Sequence, residues 1–471
     1  MKYYNNLVWM FLFLLLLAGC DSYVDIKTQG SLIPKETSNY RYLLNNTEEW
    51  ETGPNMCDIA SDDVSLLDGS SQVNHLESSE STAWWLNVYT WQPEIYPVGG
   101  YYNVDFGWKF MYNTITYANV VINEALSSKG GTQAEKEALV AEALVHRADA
   151  YLMLVNMYAK PYNSETANSD LGVPLMLVVN TSQPLIRKPV QEIYNQIILD
   201  LTRALPALPD EQEYTTLPSK PSAYGELART YLCMGDYEKA NLYADSALIY
   251  RNTLNDLSTI TAASTENYPQ RIHDPEILLS KVAYGGVSSY SPTAMRLSQS
   301  LLNLLGTKDK RYTLFTATSA DVLYTGDEDP DGRCFYRDYV LYEARNIGPS
   351  VPEMMLIKAE YYARNGNPDL AMDWVNKLRV KRFAEADYAP LEATDSTDAL
   401  IKVINERHRE FFCRMLRWWD MRRLKDDPLF QMTLTRTLNG TTYTLDHSSN
   451  RYVFPIASYQ VLLNPEMIQN P

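Results

Sequence analysis

Ala223 to Leu248 reads AYGELARTYLCMGDYEKANLYADSAL, and Met355 to Arg379 reads MLIKAEYYARNGNPDLAMDWVNKLR. Aligned on Ala228 and Ala359, the two stretches place residues of similar role at offsets 0, +3, +7, +9, +12, +16 and +19. The first supplies Ala228, Tyr231, Gly235, Tyr237, Ala240, Ala244 and Ala247. The second supplies Ala359, Tyr362, Gly366, Pro368, Ala371, Val375 and Leu378. Each reads as two helices joined by a glycine turn. Small alanines let the antiparallel helices approach closely, and the glycine accepts the left-handed conformation that reverses the chain.

This pattern resembles the tetratricopeptide helix-turn-helix, whose usual repeat is about 34 residues. Here the two units are 131 residues apart, so they are expected not to be neighbours in a tandem array, with long insertions between them. Outward from them, Ala134 to Tyr158 carries apolar residues at Ala138, Ala141, Leu144, Val145, Ala148, Tyr151, Leu152, Val155 and Tyr158. That is the rhythm of an amphipathic helix, and Pro161 stops it. A further helix is expected from about Val190 to Leu205, closed by Pro206 and Pro209.

The texture changes in residues 21–104 and 252–350, which are rich in Ser, Thr, Asn, Asp, Gly and Tyr. Short runs such as Glu276 to Val282 read as strands. The fold class expected is mainly α. Tetratricopeptide-like helix pairs form a scaffold over about 105–250 and 352–424. An irregular, loop-rich lobe with a few short strands is built from 21–104 and 252–350. A closing segment spans 425–471, and the whole of 20–471 is one domain.

The chain begins MKYYNNLVWMFLFLLLLAGC, with one Lys and then an apolar run from Leu7 to Ala18. This is the pattern of a secretory signal peptide over 1–19, too short and wrongly flanked for a spanning helix. Leu17-Ala18-Gly19-Cys20 is similar to the lipobox of bacterial lipoproteins, which makes Cys20 the expected lipid-attachment residue. Losing the leader takes the formal charge from −17 to −18, since the leader holds one Lys and no acid. An acidic surface argues against nucleic acid as a partner. Four further cysteines, Cys57, Cys233, Cys334 and Cys413, form no C-x-x-C pair. An exported chain permits a disulfide, and the spacing selects none.

Chemistry-bearing motifs are few. His75, His146, His273, His408 and His447 show no i, i+4 pairing and no H-E-x-x-H. The chain has no nucleophile elbow, no Walker loop and no dinucleotide fingerprint. Neither a catalytic set, a cofactor nor a metal is expected. Asp327-x-Asp329-x-Asp331-Gly332 matches the opening of an EF-hand loop with Asp338 at position twelve. Pro330 inside it, Asp for the usual Glu and the lack of flanking helices favour a turn instead. Asn405 to Leu424, NERHREFFCRMLRWWDMRRL, is a basic and aromatic helix. It reads as packed, with Phe411, Phe412, Leu416 and Trp419 buried and its arginines paired to acids.

At this helix a family resemblance emerges. Glu406-Arg407-x-Arg409-Glu410 followed by Arg417-Trp418-Trp419-Asp420-Met421-x-Arg423 resembles a signature helix of the SusD/RagB family. Tyr452-Val453-Phe454-Pro455-Ile456 and Asn464-Pro465-x-x-x-Gln469-Asn470-Pro471 are similar to its closing motif. Trp108 to Leu126, Ala141 to Tyr162, Val190 to Pro209 and both helix pairs match too, so the resemblance runs from Cys20 to Pro471. Met415 stands where the family usually has Gly, Ala457 replaces the second Pro of FPIP, and Pro352 stands where an Arg is common. The resemblance implies an outer-membrane lipoprotein facing outward that binds a glycan, caps a SusC-like TonB-dependent transporter and catalyses nothing. A tetratricopeptide-type scaffold for a protein partner and a surface glycoside hydrolase are the competing readings.

The lobe is where the resemblance places the ligand, and Ala83 to Tyr96, AWWLNVYTWQPEIY, is its densest aromatic run. If extended, it directs Leu86 and Val88 inward with Trp84, and Trp85, Asn87, Tyr89 and Trp91 to the other face. Trp91 is then the first candidate to stack on a sugar, followed by Trp85, Tyr96, Tyr101, Tyr284 and Tyr290.

Overall fold

The computed structural model describes residues 34–471 apart from 55, 97–98, 100–103, 181, 262–265, 284–294 and 323–331. Helices α1 (Thr37–Leu44), α2 (Met56–Ala60) and α3 (Glu80–Tyr89) precede α4 (Phe106–Glu124) and α5 (Gln133–Tyr158). Then come α6 (Val190–Ala204), α7 (Lys220–Met234), α8 (Tyr237–Tyr250), α9 (Val351–Arg364), α10 (Pro368–Arg379), α11 (Ser396–Phe411) and α12 (Leu416–Leu424). The protein is mainly helical, as the periodicity requires. Among the described residues no helix is long and apolar enough to cross a membrane.

Helix α5 is the hub. Thr132 and Glu135 cap it reciprocally: the Glu135 carboxylate accepts from the Thr132 amide at 2.6 Å, and the Thr132 hydroxyl accepts from the Glu135 amide at 3.2 Å. Every residue from Leu139 to Tyr158 is buried. Its one inward guanidinium, Arg147, donates to both oxygens of Asp200 on α6 at 2.8 and 2.7 Å and to Asn119 on α4 at 2.7 Å. A buried cation thus ties three helices together because its donors are matched.

The glycine turns form as the spacing predicts. Gly235 (φ 75°) and Gly366 (φ 76°) are left-handed, and Ala228, Ala240, Ala244, Ala247, Ala359 and Ala371 are fully buried between helices. The spacing misleads on one point. The two pairs are neighbours in space, because α8 packs on α9. Lys358 donates to Asn241 at 3.2 Å and pairs with Asp245 across this seam. Arg229 on α7 grips Glu353 on α9 at 2.9 and 2.6 Å. The intervening residues leave the array, build part of the lobe and return to the next position, so sequence distance does not measure spatial distance here.

The lobe's two stretches are joined by hydrogen bonding. Strand β1 (Thr52–Gly53) pairs with β5 (Val282–Ala283) in parallel. Strands β2 (Val64–Ser65), β6 (Arg296–Leu297), β8 (Arg333–Phe335) and β7 (Thr316–Thr318) form an antiparallel sheet in that order. Glu276 to Val282 is less regular than its composition suggests: only its end joins a strand, with bridges from Ile277 to Ser350 and Val282 to Asn346. Helices occupy more of the lobe than expected, α1 to α3 among them.

Asn405 to Leu424 is two helices, not one. Between α11 and α12 the backbone turns through Cys413 (φ 52°) and Met415 (φ 70°). Two buried carboxylates hold the break: Asp63 accepts from the Cys413 amide at 2.8 Å and Asp58 from the Met415 amide at 2.7 Å. The left-handed conformation of Met415 gives a physical reason for a glycine at this position. The arginines are paired as expected: Arg407 with Asp420 (2.9 Å), Arg417 with Asp62 (2.7 Å) and Arg423 with Glu360 (2.7 Å).

The closing segment locks this region. Trp418 stacks on Tyr452 and Phe454 at 5.5 and 5.4 Å. Asn470 donates to the carbonyls of Tyr158 and Phe454 at 2.8 Å each. Strands β3 (Leu171–Pro174) and β4 (Arg187–Pro189) lie beside this corner, and β9 (Leu434–Leu438) with β10 (Thr441–Leu445) forms a hairpin at the lobe.

Candidate functional site

Trp91, Trp85 and Tyr96 are each 6% exposed, in the core. The extended reading that ranked them is overturned, because Glu80 to Tyr89 is helix α3. Helical spacing replaces two-residue alternation, so Trp84, Trp85, Leu86, Val88 and Tyr89 are all buried. Trp91 follows the helix with φ 53°, donates its indole N–H to the Ala60 carbonyl at 2.9 Å and packs its ring 4.5 Å from the Arg436 guanidinium. Trp84 contacts Trp85 edge-on at 6.1 Å and lies 5.1 Å from Tyr96. Burial pushes the Tyr96 hydroxyl well above its usual range, with Asp105 adding to the shift. These rings are covered on the faces a sugar would need. Tyr101, Tyr284 and Tyr290 lie outside the described residues, as do Cys20 and Asp327 to Asp331.

An exposed aromatic surface exists elsewhere in the lobe. After β8 the chain makes a short helical turn, Arg337–Leu341, which ends with Tyr342 in the left-handed conformation (φ 49°, ψ 35°). Tyr336, Tyr339 and Tyr342 recur every third residue and lie along one side of this turn. Ring centroids are 5.1 Å apart for Tyr336 and Tyr339, stacked at 24°, and 6.2 Å apart for Tyr339 and Tyr342. Tyr342 is 78% exposed and Tyr339 39%. Burial raises the Tyr336 hydroxyl above its ordinary value, and neighbouring Tyr339 raises it further.

The ladder borders a cleft of about 370 Å³ lined by Tyr268, Gln270, Arg271, Tyr342 and Glu343 among others. Glu343 accepts from the Arg271 amide at 2.9 and 2.8 Å. The Arg271 side chain is anchored to Glu51 and Ser280. Beneath the ladder, Arg345 donates to Asp338 at 2.6 Å, to Asp58 at 2.8 Å and to the Cys413 carbonyl. Through Asp58 the ladder therefore shares one of the two acids that hold the α11–α12 break. Asp338, at position twelve of the EF-hand-like string, is paired with Arg345, and Asp327 to Asp331 lie outside the described residues.

The arrangement combines flat exposed rings, a cleft and hydrogen-bonding amide, guanidinium and carboxylate groups. That is the chemistry that suits a sugar, with CH-rich faces and many hydroxyls. The sequence reading overlooked it. The signal was available in the three-residue spacing of Tyr336, Tyr339 and Tyr342, which a helical turn places on one side.

His408 is the histidine nearest to a ligand-like setting. Its Nε2 lies 2.8 Å from Asp63, and Asp62, Asp63 and His408 come within 4.8 Å of one another. Arg417 holds both oxygens of Asp62 at 2.7 Å and the Cys413 amide donates to Asp63 at 2.8 Å, so both carboxylates of the cluster have donors within the protein.

Residues 27–232 match the family described as SusD-like, starch-binding and associating with the outer membrane, and residues 352–471 match the SusD family. A SusD-like protein P2 from Formosa agariphila is 25% identical over 402 residues, which is 74% of this chain and 77% of that one. A SusD superfamily protein from Bacteroides thetaiotaomicron superposes with a TM-score of 0.72 at 19% identity, covering 93% of this chain and all of the other. A surface glycan-binding protein A from Bacteroides uniformis gives 0.68 at 16% identity, covering 92% and 99%.

Proposed function

The chain belongs to the SusD/RagB family, and on that premise we propose that it is a cell-surface glycan-binding lipoprotein, a binder with no catalytic role. The observation that carries this reading is the exposed Tyr336–Tyr339–Tyr342 ladder bordering a cleft with Gln270, Arg271 and Glu343. Rings stacked along a turn offer successive platforms to successive sugar units, and side chains at the cleft bind hydroxyls. Individual contacts of this kind are modest, which places affinity at roughly millimolar to micromolar, about −4 to −8 kcal/mol. The names of similar proteins, a starch-binding family and a glycan-binding relative, support the same ligand class.

The delivery step completes the reading: the captured oligo- or polysaccharide passes to a SusC-like TonB-dependent outer-membrane transporter, and Cys20 carries the lipid that holds the protein on the outer face. Isothermal calorimetry of the folded protein against a broad panel of oligo- and polysaccharides tests the binding. Heat with at least one glycan, at an affinity about tenfold weaker in Tyr342→Ala, is the expected result. Silence across the panel from folded protein defeats it. Co-purification of a large β-barrel whose gene product transports the same glycan tests the delivery.

A further inference from the structure

One face of the protein is out of keeping with its acidic surface. Leu126, Val178, Val179, Ile186, Leu462 and Ile468 are between 48% and 68% exposed. Leu463, beside Leu462, is exposed too. They come from three remote parts of the chain, and hydrogen bonds bring those parts together. Asn123, one turn before Leu126, donates to the Leu177 carbonyl at 3.1 Å. The Leu185 amide donates to Glu466 at 2.9 Å. Arg187 donates to the Ile468 carbonyl at 2.8 Å. The result is a strip of aliphatic side chains across the α4 end, the loop between β3 and β4, and the closing segment.

Two observations bear on what covers this strip. First, the described residues begin beside it. The Lys129 amide, three residues after Leu126, donates to the Lys35 carbonyl at 2.9 Å, and the Thr37 amide returns to Lys129 at 2.9 Å. The segment from Cys20 to Pro34 starts here and reaches at most about 50 Å even when fully extended. Second, the strip is aliphatic. Among the described residues its exposed side chains include no aromatic, Met or Arg anchor of the kind that carries protein interfaces. A bilayer needs no such anchors, since it rewards apolar area alone. Exposed Lys35 and Lys129 share this edge with exposed Glu36, Glu124 and Glu466, so apolar area, not net charge, is what the face offers a bilayer.

We propose that this strip is a lipid-contacting face, which lies on the outer leaflet beside the tether and sets the orientation of the lobe relative to the membrane. The proposal rests on the lipid anchor assigned to Cys20 and is independent of the glycan reading.

The test uses the full lipidated chain reconstituted in vesicles of phosphatidylethanolamine and lipopolysaccharide. A polarity-sensitive dye is placed through Ile186→Cys, through Leu463→Cys or, as a control, through Leu242→Cys on the exposed side of α8. The four native cysteines among the described residues are buried and stay unlabelled in the folded protein. Dye at Ile186 and Leu463 is expected to shift to the blue, to be quenched by spin-labelled lipid and to lose quenching by aqueous iodide. Dye at Leu242 is expected to keep full iodide quenching. Equal iodide quenching at all three sites overturns the proposal. So does shielding of Ile186 that appears only after a second outer-membrane protein is added, which would assign the strip to a protein partner. Mass spectrometry of the N-terminal peptide reports the lipid on Cys20. If Cys20 carries none, the same labels are read on chain carrying Cys20→Ser added freely to the vesicles, where an absence of any blue shift overturns the proposal. A protein that passes this test but binds no glycan in calorimetry refutes the function and leaves the face standing.

Discussion

Tyr342 shows how one residue serves the site at a structural cost. A left-handed backbone disfavours any side chain with a Cβ by about 1–2 kcal/mol, yet this position holds a ring that is 78% exposed and buries little. Stability alone would favour glycine there. We therefore expect Tyr342→Gly to raise the urea midpoint slightly while weakening glycan affinity about tenfold, or 1.4 kcal/mol. A Tyr342→Gly protein that binds as well as the parent would remove the ring from the site. Trp91 is the opposite case. It is buried, hydrogen-bonded to Ala60 and stacked on Arg436. Trp91→Ala is expected to cost about 3–5 kcal/mol of stability, as a large-to-small change in a core does, and thermal unfolding would register it as a large fall in midpoint. An unchanged midpoint would show that the ring is not structural.

At the level of elements, alanines and glycine turns specify the helix pairs, and buried charge pairs specify how the pairs stack. Arg229 and Glu353, 1% and 0% exposed, join α7 to α9 through two hydrogen bonds. Removing one partner strands a buried charge. Arg229→Met should therefore destabilise by about 3–5 kcal/mol, while Arg229→Met with Glu353→Leu should recover much of that loss. Urea midpoints of the parent, both singles and the double variant would show it. A double variant as unstable as the two singles combined would indicate that packing, not uncompensated charge, is what the singles damage. The break between α11 and α12 belongs to this scale as well. No helix-breaking residue announces it: Cys413 and Met415 are ordinary in a helix, and only the approach of Asp58 and Asp63 from α2 and the turn after it stabilises the bend.

For the whole molecule, the buried carboxylates predict a pH profile. Burial raises the Glu276 carboxyl to about 7 although Arg382 opposes the rise. Between the ordinary value of 4.5 and about 7, the folded protein keeps a proton that the unfolded chain has released, so this group's contribution falls as pH rises through that window. Burial also works to raise Glu406 and Asp420, but Arg311 with Arg379, and Arg407 with Arg423, outweigh it and hold both near 2. Their contribution is present above the ordinary carboxylate range and is lost as pH falls towards about 2. Glu276→Gln should flatten the decline in urea midpoint between about pH 4.5 and pH 7 and leave the acid limb intact; equal slopes in parent and variant would refute the assignment. Helices α5 and α6, the two helix pairs with their glycine turns, the mainly helical class and the family signature were legible in the chain, because each depends on residues within one or two turns of one another; the lobe helices α1 to α3 were not. The stacking of α8 on α9 and the bend at Met415 were not, since contacts across 113 and 357 residues create them. The aromatic surface divides in the same way. Local spacing shows that Tyr336, Tyr339 and Tyr342 share a side and that Trp84 to Trp91 is rich in rings. Which of these rings faces solvent is settled by the neighbours that cover them, and the tertiary structure supplies Ala60 and Arg436 over Trp91 and, among the described residues, nothing comparable over Tyr342.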